Sequence, residues 1–384
     1  MPVIPDNYVY LDYAASAPFD TRLTNTLAKS CWGNANSLHT IGRQARVELD
    51  EARRFIARSL DAKRPSEIFF TSGASEAINT AIWGLIKPDT NYVVVSSLEH
   101  PALRKSVEAL RSKNIRIKVL NPNTDGIITP DSLRKVLDDL SDIDAKVGFV
   151  AVQAVNGEIG TIQPFSELSK ISHEFGILFI CDMVQALGKI EFSLQKSDVD
   201  IAVFSGHKIG APIGIGCMYI KAGVNCTPLI RGGGQELGLR SGTSPVALAC
   251  AFAKEIKYSL SERKHTWDHL FFLRQLLIAK LAQNNNYKMH PTLKSQDNCV
   301  PHIISLYSDL FEAQTLLLRF DKEGIGVSSG SACSSKSLDP SYVLTSIGIK
   351  LDQANKTIRI SFGKGTSAAH IDKFLSVLDK INKQ

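Results

Sequence analysis

From Glu67 to Phe204 short apolar runs alternate with stretches of helical period, a rhythm that few architectures can accommodate. The candidate strands are Glu67–Thr71, Tyr92–Ser96, Ile115–Leu120, Val147–Gln153, Ile177–Cys181 and Ile201–Phe204. Between them Ser75–Ile86, Ala102–Ser112, Pro130–Leu140 and Pro164–Phe175 read as helices. Such alternation predicts an α/β fold, a mostly parallel sheet covered by helices on both faces. Ahead of it, Gly42–Leu60 carries Ala45, Leu49, Ala52, Phe55, Ile56 and Leu60 near helical spacing and reads as a long amphipathic helix.

The rhythm then changes. Pro245–Ser261 reads as a helical bridge, followed by a polar loop at Gln283–Asn286. Further on, Pro301–Leu306, Gly326–Ser328 and Thr357–Ser361 read as strands, with helices around Leu310–Phe320 and Ile371–Lys383. The 384 residues therefore divide into a large domain, residues 15–255, and a smaller α+β domain made of residues 1–14 plus 256–384.

Composition narrows the possible roles. A net charge of +6 without any Lys/Arg run interleaved with aromatics favours anionic cofactors or acidic partners over nucleic acid. The start of the chain has neither a charged region nor an apolar core of a signal peptide, and the longest apolar runs are strand-sized, too short for a bilayer. The seven cysteines contain no Cys-x-x-Cys pair, which argues for a reducing cytoplasm and against a metal cluster.

Chemistry gathers at the ends of the candidate strands. Ser205-Gly206-His207-Lys208 follows one apolar strand, and Asp182 to Gln185 follows another. An amine able to form a Schiff base and a carboxylate able to hold a protonated pyridine nitrogen are what pyridoxal phosphate needs from a protein. Alone, a lysine at a strand end is more often solvated surface. Thr71-Ser-Gly-Ala74-Ser75-Glu76 runs from a strand through a glycine turn into a helix, so backbone N–H groups and the Ser75 hydroxyl point at an anion. An ordinary strand–turn–helix capped by serine fits that stretch equally well. Ser205 and His207 could complete a phosphate cup. His100, after Tyr92–Ser96, is a flat side chain that could stack on a ring, although a lone histidine is more often structural. Asn156 and Glu158 sit at another strand end. Arg359 has the fork geometry for a substrate carboxylate, with a surface ion pair as the plainer alternative. Cys333 lies in Ser328-Ser-Gly-Ser-Ala-Cys-Ser-Ser335, a small polar run unlike the apolar surroundings of a packing cysteine. The other six cysteines read as packing.

In this order the residues resemble the cysteine desulfurases, the NifS- and IscS-related group of class V aminotransferase-fold enzymes. The resemblance runs from Tyr10-Leu-Asp-Tyr-Ala-Ala-Ser16 through Thr71–Glu76, Ser205–Lys208, Gly232–Glu236 with Arg240–Thr243, and Ser328–Ser335 to Ile358–Gly363. It implies a homodimeric fold-type-I pyridoxal-phosphate enzyme that takes sulfur from L-cysteine and passes it to an acceptor such as an iron–sulfur scaffold or a sulfur carrier. By the same resemblance Lys208 matches the Schiff-base lysine, Asp182 the pyridine-nitrogen partner and Gln185 a donor to the ring hydroxyl. His100 matches the stacking histidine and proton carrier. Ala74, Ser75, Ser205 and His207 match the phosphate cup, with Thr243 reaching in from a second subunit. Asn156 and Arg359 match substrate contacts, and Cys333 the nucleophile. The chain departs from the pattern at Gly157, Met183, Leu237 and Ala35, which bears on channel shape and dimer contacts. A selenocysteine lyase or another class V enzyme would share most of these residues and would tolerate loss of Cys333.

Overall fold

The computed structural model describes residues 7–282, 286–291, 298–330 and 340–383. Cys333, with the rest of 331–339, lies outside the described residues, as do residues 283–285 of the polar loop.

Among the described residues the strands are β1 (Val9–Tyr10), β2 (Ile68–Thr71), β3 (Tyr92–Ser96), β4 (Arg116–Leu120), β5 (Val147–Ala151), β6 (Leu178–Asp182), β7 (Ile201–Ser205), β8 (Gly216–Ile220), β9 (Tyr287–His290), β10 (Ile303–Ser308), β11 (Ile325–Gly326) and β12 (Thr357–Ser361). Seven of them form one sheet in the order β2-β8-β7-β6-β5-β3-β4. Strands β4, β3, β5, β6 and β7 are parallel, whereas β8 is antiparallel to both of its neighbours. Two reversals restore direction, so β2 runs the same way as the parallel strands. Its carboxyl end therefore opens on the same edge as theirs. Open α/β sheets bind ligands at that edge.

The buried strands show why the apolar runs read so clearly. Every residue of β7 and of β8 is buried, as expected for strands covered on both faces. One cluster of buried residues lies on the side of the long helix Thr40–Ser59 and includes Leu49, Ile56, Phe70, Phe179 and Phe204; another, on the opposite face, includes Phe69, Ile78, Val93, Phe149 and Met218. Alternate strand residues thus feed opposite layers.

Two expectations need correction. Gly216–Ile220 is a strand that the alternating pattern did not suggest, because no helix separates it from β7. The bridge helix runs over Val246–Leu281, well past Ser261. Its first part packs Ala249, Phe252 and Ile256 into the core beside the large sheet. Its last part packs Leu270, Leu273 and Leu277 into a separate core with Val9, Leu11, Phe320, Ile360 and Phe374. Between these two contact faces most residues are exposed or half-buried, and so the polar sequence imitates an ending. Around the second core lie the antiparallel sheet β12-β10-β9 and the parallel pair β1-β11.

Candidate active site

A cavity of about 360 Å³ opens at the carboxyl edge of the large sheet. Its walls bring together Ala74, Ser75, His100, Asn156, Asp182, Gln185, Ser205, His207, Lys208 and Arg359, residues spread over most of the chain. Thr243 is exposed and does not line the cavity of its own chain.

The anion end comes from β2. Gly73, at φ 155° and ψ 179°, occupies backbone space that is essentially glycine-only, and it leads directly into the helix Ala74–Gly84. A Cβ on Gly216 would stand 2.8 Å from Gly73 Cα, so a bare glycine in β8 lets this turn close down on the sheet. The first amides of Ala74–Gly84 have no acceptor within the helix and face the cavity with its positive dipole end. Ser75, Ser205 and His207 stand beside them. The His207 Nδ1 lies 3.3 Å from the Ser16 hydroxyl, and burial together with Lys208 lowers its pKa to about 4.

The opposite end holds a buried acid. Asp182, the last residue of β6, accepts a hydrogen bond from the Val184 amide at 2.9 Å. Burial raises its pKa to about 6, while that amide and Lys208 pull it downward. A carboxylate so desolvated is stabilised by a cationic partner, which a protonated ring nitrogen provides. Lys208 follows β7 in a single 3-10 turn, and its Nζ donates to the carbonyls of Ala14 (2.7 Å) and Ala15 (2.8 Å). The Gln185 Nε2 donates to the same Ala14 carbonyl at 2.9 Å. These acceptors are backbone atoms of the Tyr10–Ser16 segment and carry no side-chain signal in the sequence.

His100 caps the helix Pro101–Ala109, its Nδ1 accepting from the Ala102 amide at 3.1 Å. That bond leaves the proton of the neutral ring on Nε2. Burial, with Lys208 adding to it, lowers the pKa of His100 to about 4, so the ring is neutral at pH 7. Because the folded value lies below the ordinary 6.5, this group's contribution to stability is full above pH 6.5 and is lost as pH falls through about 4. Urea unfolding of His100→Asn is expected to be less pH-sensitive over that window: wild type loses stability relative to the variant between pH 7 and 4.5.

The substrate-facing candidates are more engaged than the sequence suggested. Arg359 is buried in β12, where it donates to the Asp12 carboxylate at 2.7 Å and to the Gly157 carbonyl at 2.9 Å. It forms a buried ion pair rather than a surface one, and its Nε is buried with no hydrogen-bond partner among the described residues. Asn156 holds its own turn, accepting from the amides of Glu158 and Ile159 and donating to the Leu98 carbonyl. Glu158 accepts from Ser341, so the Asn-Gly-Glu turn is tied to the residues just beyond the segment that contains Cys333. Tyr342, which lines the cavity and donates to the Glu99 carbonyl at 2.6 Å, was not foreseen. Of the departures, Gly157 could carry a Cβ in ordinary contact with Gln185, Met183 is buried in the core, and Leu237 is exposed in a left-handed conformation at φ 56°.

The family model for class-V aminotransferases matches residues 9–374. A curated relative, cysteine desulfurase IscS of Dictyoglomus turgidum, is 35% identical over 97% of this chain and 94% of its own length. Among solved structures, a NifS-like protein superposes with a TM-score of 0.88 at 30% identity, covering 98% of this chain and 99% of its own. A structure described as SspA in complex with cysteine gives a TM-score of 0.79 at 30% identity, covering 92% and 99%. The chain belongs to the class-V aminotransferase family and, within it, to the cysteine desulfurases of the NifS and IscS type. Its fold is accordingly the fold type I of pyridoxal-phosphate enzymes, α/β with a mostly parallel sheet and a small antiparallel one.

Proposed function

We propose that this chain removes sulfur from L-cysteine, yielding L-alanine and a persulfide on Cys333 that passes to an acceptor protein. The observation that carries this reading is the convergence, at one sheet edge, of the Lys208 amine, the buried Asp182 carboxylate and the helix N-terminus at Ala74 and Ser75. That set fits pyridoxal phosphate: Ala74, Ser75, Ser205 and His207 would hold the phosphate, Asp182 the ring nitrogen and Lys208 the aldehyde carbon. Bound there, the cofactor supplies an electron sink for the substrate's Cα.

The protein's own groups do the rest. Lys208 Nζ takes the Cα proton. Asp182 keeps a proton on the ring nitrogen beside it. His100, neutral and carrying its proton on Nε2, exchanges protons at the substrate sulfur. The Cys333 thiolate attacks that sulfur: an S–S bond forms, the substrate C–S bond breaks and its electron pair stays with carbon, and a proton added at Cβ together with return of the Lys208 proton to Cα completes alanine. Arg359 offers its guanidinium to the substrate carboxylate.

Asp182→Ala should lower the rate of alanine formation about 100-fold while weakening cofactor retention about tenfold or less. Parallel kinetics and cofactor titration check this, and equal losses in both would contradict the role given to Asp182.

A homodimer in the cytoplasm completes the reading. Ile213, on the rim of the cavity, is 80% exposed, and Thr243 is exposed as well, which supports a second subunit closing the site. Light scattering on the purified protein tests the dimer. The domain division at residues 15–255 against 1–14 plus 256–384 is supported by the two separate cores joined by the helix Val246–Leu281.

A further inference from the structure

Lys189 stands behind the candidate active site rather than in it. It follows Gln185 by one helical turn in the segment after β6, where the amides of Leu187 and Lys189 bond to the carbonyls of Met183 and Ala186. That turn places the two side chains on one side, and Lys189 Nζ donates to Gln185 Oε1 at 2.6 Å. The preceding Gly188, at φ 71°, brings the segment against the long helix, since a Cβ there would meet Ser259 Cβ at 2.8 Å. Lys189 thereby reaches a second cavity, of about 290 Å³, which shares Lys208 with the first but does not include Gln185 or Asp182.

Burial, with Lys208 and Arg359 adding to it, lowers the pKa of Lys189 to about 7. Below that pH the side chain is an ammonium with three donors and no acceptor, so its partner atom on a carboxamide is the oxygen. With Oε1 held by Lys189, the Gln185 N–H groups are turned the other way. One of them donates to the Ala14 carbonyl, which also accepts from Lys208. The result is a chain of contacts from Lys189 through Gln185 to the acceptor of the reactive amine. The charged and titratable groups facing Lys189 include Lys208, His207, Arg359 and His302, with Tyr13, Asp20 and Lys364 around the second cavity, and among the described residues no carboxylate pairs with it. Among the described residues its acceptor is the Gln185 oxygen. A methionine at this position would keep the stem and lose the donor, freeing the amide to turn its oxygen into the pocket.

We propose that Lys189 is a positioning residue, whose ammonium fixes the Gln185 carboxamide with its N–H groups toward the cofactor's ring oxygen. The proposal rests on the reading of Gln185 and Lys208 as cofactor contacts given above. A fixed donor stabilises the ionised ring oxygen, and an amide free to flip does so less. A hydrogen bond to a charged group is worth about one pK unit.

The test is a pH titration of the visible absorbance of the bound cofactor in the wild-type holoenzyme and in Lys189→Met, Lys189→Arg, Gln185→Leu and the Lys189→Met/Gln185→Leu double variant. Lys189→Met should move the titration midpoint by about one pH unit. Lys189→Arg, which still donates to Oε1, should restore most of it, and adding Lys189→Met to Gln185→Leu should change nothing further. An unchanged midpoint in Lys189→Met, or a shift that persists undiminished in the Gln185→Leu background, overturns the proposal. Wild-type protein that acquires no visible absorbance with pyridoxal phosphate refutes the cofactor reading itself, and the Lys189 role with it. Thermal unfolding of the apoproteins separates a folding defect from either result, and Lys189→Arg keeps the comparison open if Lys189→Met is unstable.

Discussion

Lys208→Ala should abolish turnover of L-cysteine, lowering the rate of alanine formation by at least about 1,000-fold. The amine is placed by the 3-10 turn after β7 and aimed by two backbone carbonyls, those of Ala14 and Ala15. Among the described residues no other lysine lines the main cavity. Removing it takes away both the covalent anchor and the base that accepts the Cα proton. The fold should survive, since Lys208 is only partly buried and its neighbours in the turn hold their own backbone bonds. The phosphate end, built from β2 and its helix, is separate from Lys208, so the variant should still bind the cofactor, more weakly. Single-turnover assays with matched circular dichroism check the loss, and substantial alanine formation by a folded Lys208→Ala protein would contradict it.

Cys333→Ala carries the second large effect. Alanine formation should fall at least about 100-fold, while L-cysteine should still perturb the absorbance of the bound cofactor. The two readouts separate capture of the substrate from attack on its sulfur. The described cysteines offer no obvious substitute. Burial pushes the thiols of Cys181 and Cys217 far up and that of Cys226 to about 11, and none of the three lines the cavity. A selenocysteine lyase would keep its activity in this variant. Normal sulfur transfer without Cys333 would remove the nucleophile role and favour that alternative.

Legibility in the sequence followed physical rules. The parallel strands were clear because both faces are buried and each reads as a continuous apolar run, as in Ile201–Ser205. Strand β8 was hidden because it returns antiparallel without an intervening helix, although Gly216-Cys-Met-Tyr-Ile220 has the composition of a buried strand. The full reach of the helix Val246–Leu281 was hidden by its polar middle, where most residues are exposed or half-buried. Leu270, Leu273, Leu277 and Leu281 at helical spacing were the signal that it continued.

The site was legible where chemistry needs an unusual residue at a strand end, as with Lys208, Asp182 and His100. It was less so where a side chain serves another side chain. Arg359 read as a free fork for a carboxylate, yet it is held by Asp12 and Gly157. Lys189 read as nothing at all, since its bond to Gln185 depends on a turn that only the fold defines. The Ala14 and Ala15 carbonyls could not be read, because a backbone acceptor leaves no trace in residue type. Arg53 and Glu236 were missed for a related reason. They form a buried ion pair that also caps the Phe70 amide, tying the Gly232–Glu236 segment to β2 across 166 residues of sequence.

The most direct test of the central claim is alanine release from L-cysteine by the purified, pyridoxal-phosphate-loaded protein with a reducing thiol present. Alanine and sulfide in equal amounts are the predicted result. A bound cofactor that responds to L-cysteine with no alanine formed, with or without a sulfur-acceptor protein, would contradict it.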